Sequence, residues 1–331
     1  MRFSLRVNND LPADMYARLA DAAECAGFDQ FWVSNDLFLR SVWVLLTSAA
    51  QATRRIRIGT CIVNPYTMHP AEIAMAAAAL NELSNGRFLL GLSSGADDFL
   101  AWIGIRAERP VSAVAETMAA LRRVWRGERE HPTGQFAPLQ HWSGDAYLRF
   151  QAQSIPIYVG AMSPRMLRLI GSDADGGLPL LFPPEHFVEA MQHIGDGAAR
   201  AGRALSNVDV AACIWCSISA DRRAAENVMR EKIAYYGHAF SPLILSRLGL
   251  TRADFDPIQG ALRTRSLAAA AELVTPRMLQ IGVVGTSREL LPRLEQLVAR
   301  GATHLSFGPP LGPDLFEAIN ILGREVLPHF Q

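Results

Sequence analysis

The chain has no net charge. Lys+Arg and Asp+Glu both number 32 in its 331 residues. A nucleic-acid-binding protein is usually basic, so that class is set aside. No apolar run approaches the roughly 18 residues of a spanning helix, so no membrane span is expected. The N-terminus carries no basic, apolar and cleavage-site order and enters a strand pattern at once. The cytoplasm is the expected setting. No His, Cys, Asp or Glu cluster has metal-ligand spacing, so no metal is expected. Ser93, Ser94 and Ser163 lack the strand–elbow–helix context of a hydrolase nucleophile. No stretch has linker composition, and nothing repeats beyond a strand–helix rhythm.

Cysteine is scarce and scattered: Cys25, Cys61, Cys213 and Cys216. The last two form a Cys-x-x-Cys, a spacing that suits a redox or zinc pair. Their flanks, Val208–Ser219, read as a strand rather than a helix start. In a strand, residues three apart point to opposite faces. The pair is therefore read as structural.

Half of the residues are hydrophobic, enough for a sizeable core. Strand patterns fall at Arg2–Asn8, Gln30–Ser34, Ile56–Val63, Arg87–Leu92, Ile155–Val159, Gly176–Phe182, Val208–Ser219 and Thr303–Phe307. Helical patterns lie between them: Pro12–Ala26, Ser41–Thr53, Ala71–Leu83, Val111–Arg126, Pro164–Gly171, Pro184–Ala201 and Asp314–Val326. Eight strands with intervening helices predict an eight-stranded parallel α/β barrel of the TIM type. A doubly wound open sheet is the alternative. The chain reads as one domain, residues 1–331, with insertions at about 131–150 and 220–276. The first is rich in Pro, Gly and aromatics and is expected to lie over the active face. The second contains a helix at Asp221–Ala239 and suits a lid or a subunit contact.

Several strand ends carry polar residues, where barrel enzymes place their chemistry. Ile58–Pro70 begins as an apolar strand, turns polar at Asn64, and ends in a proline that opens an Ala-rich helix. That helix is apolar almost all round, which suits burial against a partner. His69 precedes it, as a ligand contact or a surface residue. Leu92–Asp98 ends the fourth strand in small residues, Ser94 and Gly95 among them, that admit a ligand to the backbone. Asp97 and Asp98 follow as candidate acids or bases. Ser34–Leu37 places Asn35 and Asp36 after the second strand. At Gly160–Arg165, Ser163 suits an N-cap and Pro164 the first helical position. Free N–H groups there, with the helix dipole, favour a phosphate.

The Gly-x-x-x-x-Asn-Pro-Tyr-x-x-x-Pro run from Gly59 to Pro70 resembles the luciferase-like flavin and deazaflavin oxidoreductases, and the methylene-tetrahydromethanopterin reductases among them. So do Leu83–Arg87, Ile155–Ala161, Ser163–Leu167, Val283–Thr286 and Pro310–Asp314, in that order along the chain. The resemblance implies a barrel with a flavin-type ring across its C-terminal mouth and hydride transfer to a bound substrate. In the reductases the ring belongs to 8-hydroxy-5-deazaflavin, coenzyme F-420, and the substrate is a methylene-pterin. FMN in an oxygen-activating monooxygenase, NAD(P)H with a folate carrier, and a cofactor-free binding subunit are the alternatives. By resemblance the ring is held by Asn35, Cys61, Ile62, Asn64, Ser94 and Gly95, and its phosphate by Gly160, Ala161, Met162 and Ser163. Asp97 or Asp36 faces the substrate. A cis peptide is expected at Cys61–Ile62. A homodimer is expected through Ser41–Thr53 and Ala71–Leu83.

The chain also departs from the family pattern. Relatives carry Asp-His after the second strand, where this chain has Asn35, Asp36 and Leu37. Their aspartate after the fourth strand aligns with Ala96, one place before Asp97. Arg6 stands where the reductases carry an acidic residue, which implies either that Asp36, Asp97 or Asp98 supplies the proton or that the chain no longer performs the reductase reaction.

Overall fold

Ten strands form one parallel sheet in the computed structural model, which describes residues 1–131, 134–237 and 240–331. They are β1 (Arg2–Val7), β2 (Gln30–Val33), β3 (Arg57–Thr60), β4 (Phe88–Leu92), β5 (Ile157–Ala161), β6 (Gly176–Pro179), β7 (Asp209–Val210), β8 (Ala212–Ile218), β9 (Val283–Gly285) and β10 (His304–Leu311). Their order is β7-β6-β5-β4-β3-β2-β1-β10-β8-β9. Most positions are buried, because helices cover the outer face while side chains fill the inner one. Continuous apolar runs are the sequence form of such strands. With its strands parallel and helices between them, the chain has the architecture of a TIM-type barrel.

The expected eight strands appear as ten for two reasons. Val208–Ser219 is interrupted at Ala211, whose N–H donates to the Gly177 carbonyl (3.0 Å). The β7 half pairs with β6 and the β8 half with β10. Beyond β6, Leu180 bridges to Cys213, and the Leu181 N–H donates to the Cys213 carbonyl (2.9 Å). The second reason is β9, three residues paired to Cys216–Ile218.

The interior is apolar in its middle and polar at one end. Trp32, Leu89, Tyr158, Leu178, Ala211 and Cys213 form a buried inner cluster. The Trp32 and Tyr158 rings meet edge-on at 5.1 Å. A Cβ on Gly59 would overlap the Trp32 indole, so β3 needs glycine there. A polar plug closes the N-terminal end of the strands. Asp209 accepts from the Tyr158 hydroxyl (2.7 Å) and Gln30 Nε2 (3.3 Å), pairs with Arg2 (2.6 Å), and meets His304 Nδ1 (3.1 Å). The other His304 nitrogen reaches Ser4 Oγ (2.9 Å). Burial alone would raise the Asp209 carboxyl, but His304, Tyr158 and Arg2 hold it well below the usual carboxylate range.

Outside the strands, the apolar faces of the helices build the main core. The segment expected as a second insertion folds into short helices, among them Arg222–Tyr236, Pro242–Arg247, Asp256–Thr264 and Leu267–Glu272. Together with Phe182 and Trp215 they enclose a separate apolar cluster. The helix expected at Asp221–Ala239 is found at Arg222–Tyr236, and residues 238 and 239 lie outside the described residues. The first insertion, of which residues 132 and 133 lie outside the described residues, holds one 3-10 turn at Ala137–Leu139. Its Trp142 stacks on His69 and its Phe136 meets Tyr66 edge-on. Among the described residues it does not line the main cavity. Its aromatics turn instead to the start of the helix Pro70–Leu83.

Candidate active site

A cavity of about 460 Å³ opens at the C-terminal ends of β1 to β6. Its size lies within the range of small-ligand sites. Of the residues named from the sequence, Arg6, Asn35, Asp36, Cys61, Ile62, Asn64, Ser94, Gly95, Gly160, Ala161, Met162 and Ser163 all line it. Asp97 does not. It begins a short helix, Asp97–Trp102, with Asp98 beside it, and both carboxylates are exposed. That helix start favours acidic residues at its N-terminus, which accounts for the pair. Sequence reading placed Asp97 at the site; the structure turns Ala96 and Phe99 toward the cavity in its stead.

Local hydrogen bonds set each wall. Asn64 Oδ1 accepts from the N–H groups of Tyr66 (3.1 Å) and Thr67 (2.9 Å), forming an Asx turn that ends the strand run. Just before it, the Cys61–Ile62 peptide is cis, as the resemblance implies. Gly95 adopts a φ of +79°, and a Cβ there would lie 3.1 Å from the Asn64 amide nitrogen. Ser93 Oγ donates to the Gly160 carbonyl (2.7 Å) and ties the β4 and β5 ends together. Across the mouth, Asn9 clamps the loop after β2. Its Nδ2 donates to the carbonyls of Asp36 (3.1 Å) and Arg40 (2.8 Å), and its Oδ1 accepts from the Asp36 N–H (3.1 Å). Sequence reasoning passed over Asn9.

The segment Gly160–Ser163, where a phosphate is expected, leads from β5 into a helix. Ser163 caps the helix Pro164–Asp173, its Oγ accepting from the Met166 N–H (3.4 Å). Among the described residues, the N–H groups of Met162 and Ser163 make no hydrogen bond, and both residues are exposed at the cavity edge. Free donors at a helix start fit an anionic tail. The apolar walls, Ile62, Leu178, Leu180 and Trp215, fit a ring. The residues present therefore suit a phosphate-bearing flavin or deazaflavin.

The charged groups of the cavity are Arg6, Asp36 and Lys232. Burial raises the Asp36 carboxyl, Lys232 pulls it partly back, and Asp10 adds to the rise. Burial lowers the Lys232 ammonium to about 8 against the opposing pull of Asp36 and Asp10. The Cys61 thiol is pushed up to about 12 by burial, so it is a neutral wall group. Cys213 faces the cavity and Cys216 the outer core, in line with alternation along β8. Lys232 was missed in the sequence although a signal was present. It is the only lysine in the chain, the other 31 of its 32 basic residues being arginine.

Among the described residues, no three His, Cys, Asp or Glu side chains are placed to hold a metal. No described helix is long and apolar enough to cross a membrane.

Comparison with known proteins agrees with this geometry. Residues 3–304 match the luciferase-like monooxygenase family. The 5,10-methylenetetrahydromethanopterin reductase of Methanolobus tindarius is 33% identical over 99% of this chain and 100% of its own length. The enzyme of the same name from Archaeoglobus fulgidus is 31% identical over 99% of both chains. Among solved structures, the coenzyme F-420 dependent tetrahydromethanopterin reductase of Methanopyrus kandleri superposes with a TM-score of 0.92. It is 28% identical and covers 100% of this chain and 99% of its own. The chain belongs to the luciferase-like family, and within it is a full-length homologue of the 5,10-methylenetetrahydromethanopterin reductases.

Proposed function

We propose that the protein is a deazaflavin-dependent reductase that turns a methylene-pterin one-carbon carrier into the methyl form. The observation that carries this reading is the full-length likeness to the methylenetetrahydromethanopterin reductases. It is supported by a cavity with apolar walls that suit a ring and free N–H groups at its edge that suit a phosphate. Bound coenzyme F-420 supplies a hydride and does not activate oxygen. Asn35, Cys61, Ile62, Asn64, Ser94 and Gly95 would hold its ring, and Gly160–Ser163 its phosphate.

Reduction also consumes a proton, which goes to the carrier nitrogen released as the methylene bridge opens. A guanidinium is not a proton donor of this kind, so Arg6 is not that acid. Asp97 and Asp98 lie outside the cavity. Asp36 faces it, and burial keeps its proton to higher pH than an ordinary aspartate holds one. In this reading Asp36 is the proton donor.

We also read the ten strands as eight barrel positions, with β7 and β8 one interrupted strand and β9 an addition at the rim. The chain is one domain under this reading. The exposed Val44, Met75 and Leu83 on the helices Val42–Ala52 and Pro70–Leu83 support a homodimer. Four free cysteines suit the reducing cytoplasm.

The test is an anaerobic assay of methylene-tetrahydromethanopterin with reduced coenzyme F-420, followed by deazaflavin absorbance. Wild type is expected to turn over, Asp36→Asn to lose at least about 100-fold, and Asp97→Ala to keep its rate. A yellow, oxygen-reactive bound flavin would instead identify a monooxygenase. Turnover with NADH and a folate carrier would identify the nicotinamide variant. Light scattering at micromolar concentration checks the dimer.

A further inference from the structure

Arg6 reaches the cavity from β1 and is 6% exposed. Its Nε donates to Ser306 Oγ (3.1 Å), and its Nη2 donates to the carbonyls of Ile214 (2.6 Å) and Ser306 (3.4 Å). All of these acceptors are neutral. Among the described residues, Nη1 has no oxygen acceptor, the neutral Cys61 thiol lies beside the guanidinium, and no ion pair includes Arg6. Lys232 enters the same cavity from the helix Arg222–Tyr236. Its Nζ lies over the rings of Tyr236 (4.2 Å) and Trp215 (5.4 Å), and it too has no ion pair among the described residues. Arg6 and Lys232 line the same cavity, where the Arg6 charge adds to the burial that disfavours the charged lysine.

Two cations thus share a largely apolar cavity with one carboxylate, Asp36, whose charge burial disfavours. A buried charge without a counter-charge destabilises the fold, and a protein retains one where a ligand supplies the opposite sign. The neutral acceptors hold the guanidinium in place and leave one edge free. An ammonium held over aromatic faces keeps its donors available.

We propose that Arg6 Nη1 and Lys232 Nζ form an anion site for a carboxylate of the substrate. This assignment stands apart from the reductase reading, because it concerns binding and does not depend on which acceptor is reduced.

The single lysine makes the test direct. Protein labelled with 15N and 13C lysine gives one lysine side-chain signal, that of Lys232. It is titrated with benzoate, with benzamide as the neutral isostere and inorganic phosphate as a second anion. Benzoate is expected to shift the signal saturably and to bind at least about tenfold more tightly than benzamide, the value of a charge-assisted hydrogen bond. In calorimetry, Arg6→Met and Lys232→Met are each expected to bring benzoate to within about twofold of benzamide. Arg6→Met leaves Ile214 and Ser306 without a donor. If its near-ultraviolet dichroism is lost, Lys232→Met decides. Equal binding of benzoate and benzamide, or benzoate affinity unchanged in Lys232→Met, overturns the proposal. Binding of phosphate without benzoate also overturns it, because the site then serves a phosphate tail.

Discussion

Gly308 of β10 has no side chain where the Arg6 guanidinium lies; a Cβ there would overlap Nη1, Nη2 and the carbon between them. Arg6 on the first strand and Gly308 on the last are therefore a matched pair. Gly308→Ala is expected to cost about 1–3 kcal/mol through overpacking. The loss should be partly recovered in Gly308→Ala/Arg6→Met, because the shorter side chain vacates the space. Urea denaturation of the two single variants and the double variant measures the coupling. Additive losses would show that the two residues do not compete for one volume.

The polar plug makes an acid-sensitive contribution. The Asp209 carboxyl ionises at lower pH in the folded chain than in the unfolded one. Its stabilisation is complete above the unfolded value of about 3.9 and is lost as pH falls through the folded value. Asp209→Asn is expected to cost about 3 kcal/mol at pH 7, the scale for breaking a buried ion pair. The difference from wild type should shrink below about pH 4. Melting temperatures of both proteins between neutral and acid pH check this.

Lys232 gives the opposite kind of effect. Its folded ammonium loses its proton at about 8, against 10.5 for the ordinary group. Between those values the unfolded chain binds more protons, so stability from this group rises with pH. Below about pH 8 the charged lysine is a net cost. Lys232→Met keeps the apolar stem and should raise the melting temperature at pH 7, with the gain fading toward pH 10.5. A lower melting temperature at pH 7 would mean that its ring contacts outweigh its desolvation.

The wall proposed for the ring depends on Gly160. A Cβ at this position would lie 2.9 Å from Ile62 Cγ2 and 3.3 Å from Ser93 Cβ. Gly160→Val should push Ile62 into the cavity and weaken coenzyme F-420 binding at least about tenfold, more than 1.4 kcal/mol. Fluorescence titration of the deazaflavin measures it, with far-ultraviolet dichroism confirming the fold. Unchanged affinity would place the ring elsewhere.

Much of the scaffold was legible because strands covered on both faces have to be apolar along their length. The expected ranges at Arg2–Asn8, Gln30–Ser34 and Arg87–Leu92 end within a residue of β1, β2 and β4. The three residues of β9 were not legible. So short a run has no measurable period, and its pairing with Cys216–Ile218 makes it a strand. The cysteine pair was legible, because alternation in a strand separates Cys213 from Cys216 whatever surrounds them.

The site divided along the same line. Composition, strand–helix rhythm and the order of motifs determined the barrel, the mouth residues at Asn64 and Gly160–Ser163, and the family. Tertiary structure decided which carboxylate enters the cavity. Asp36 and Asp97 both follow strand ends, but Asn9 clamps the loop bearing Asp36, while Asp97 begins a helix that turns it to solvent. It also decided the charge of the site. Arg6 and Lys232 stand 226 positions apart in the sequence, and only the packing of the Arg222–Tyr236 helix against β8 and β9 brings them into one cavity. Periodicity reports which face of an element is buried. It carries no information about which distant element will cover that face, and the electrostatics of a cavity depend on every element that lines it.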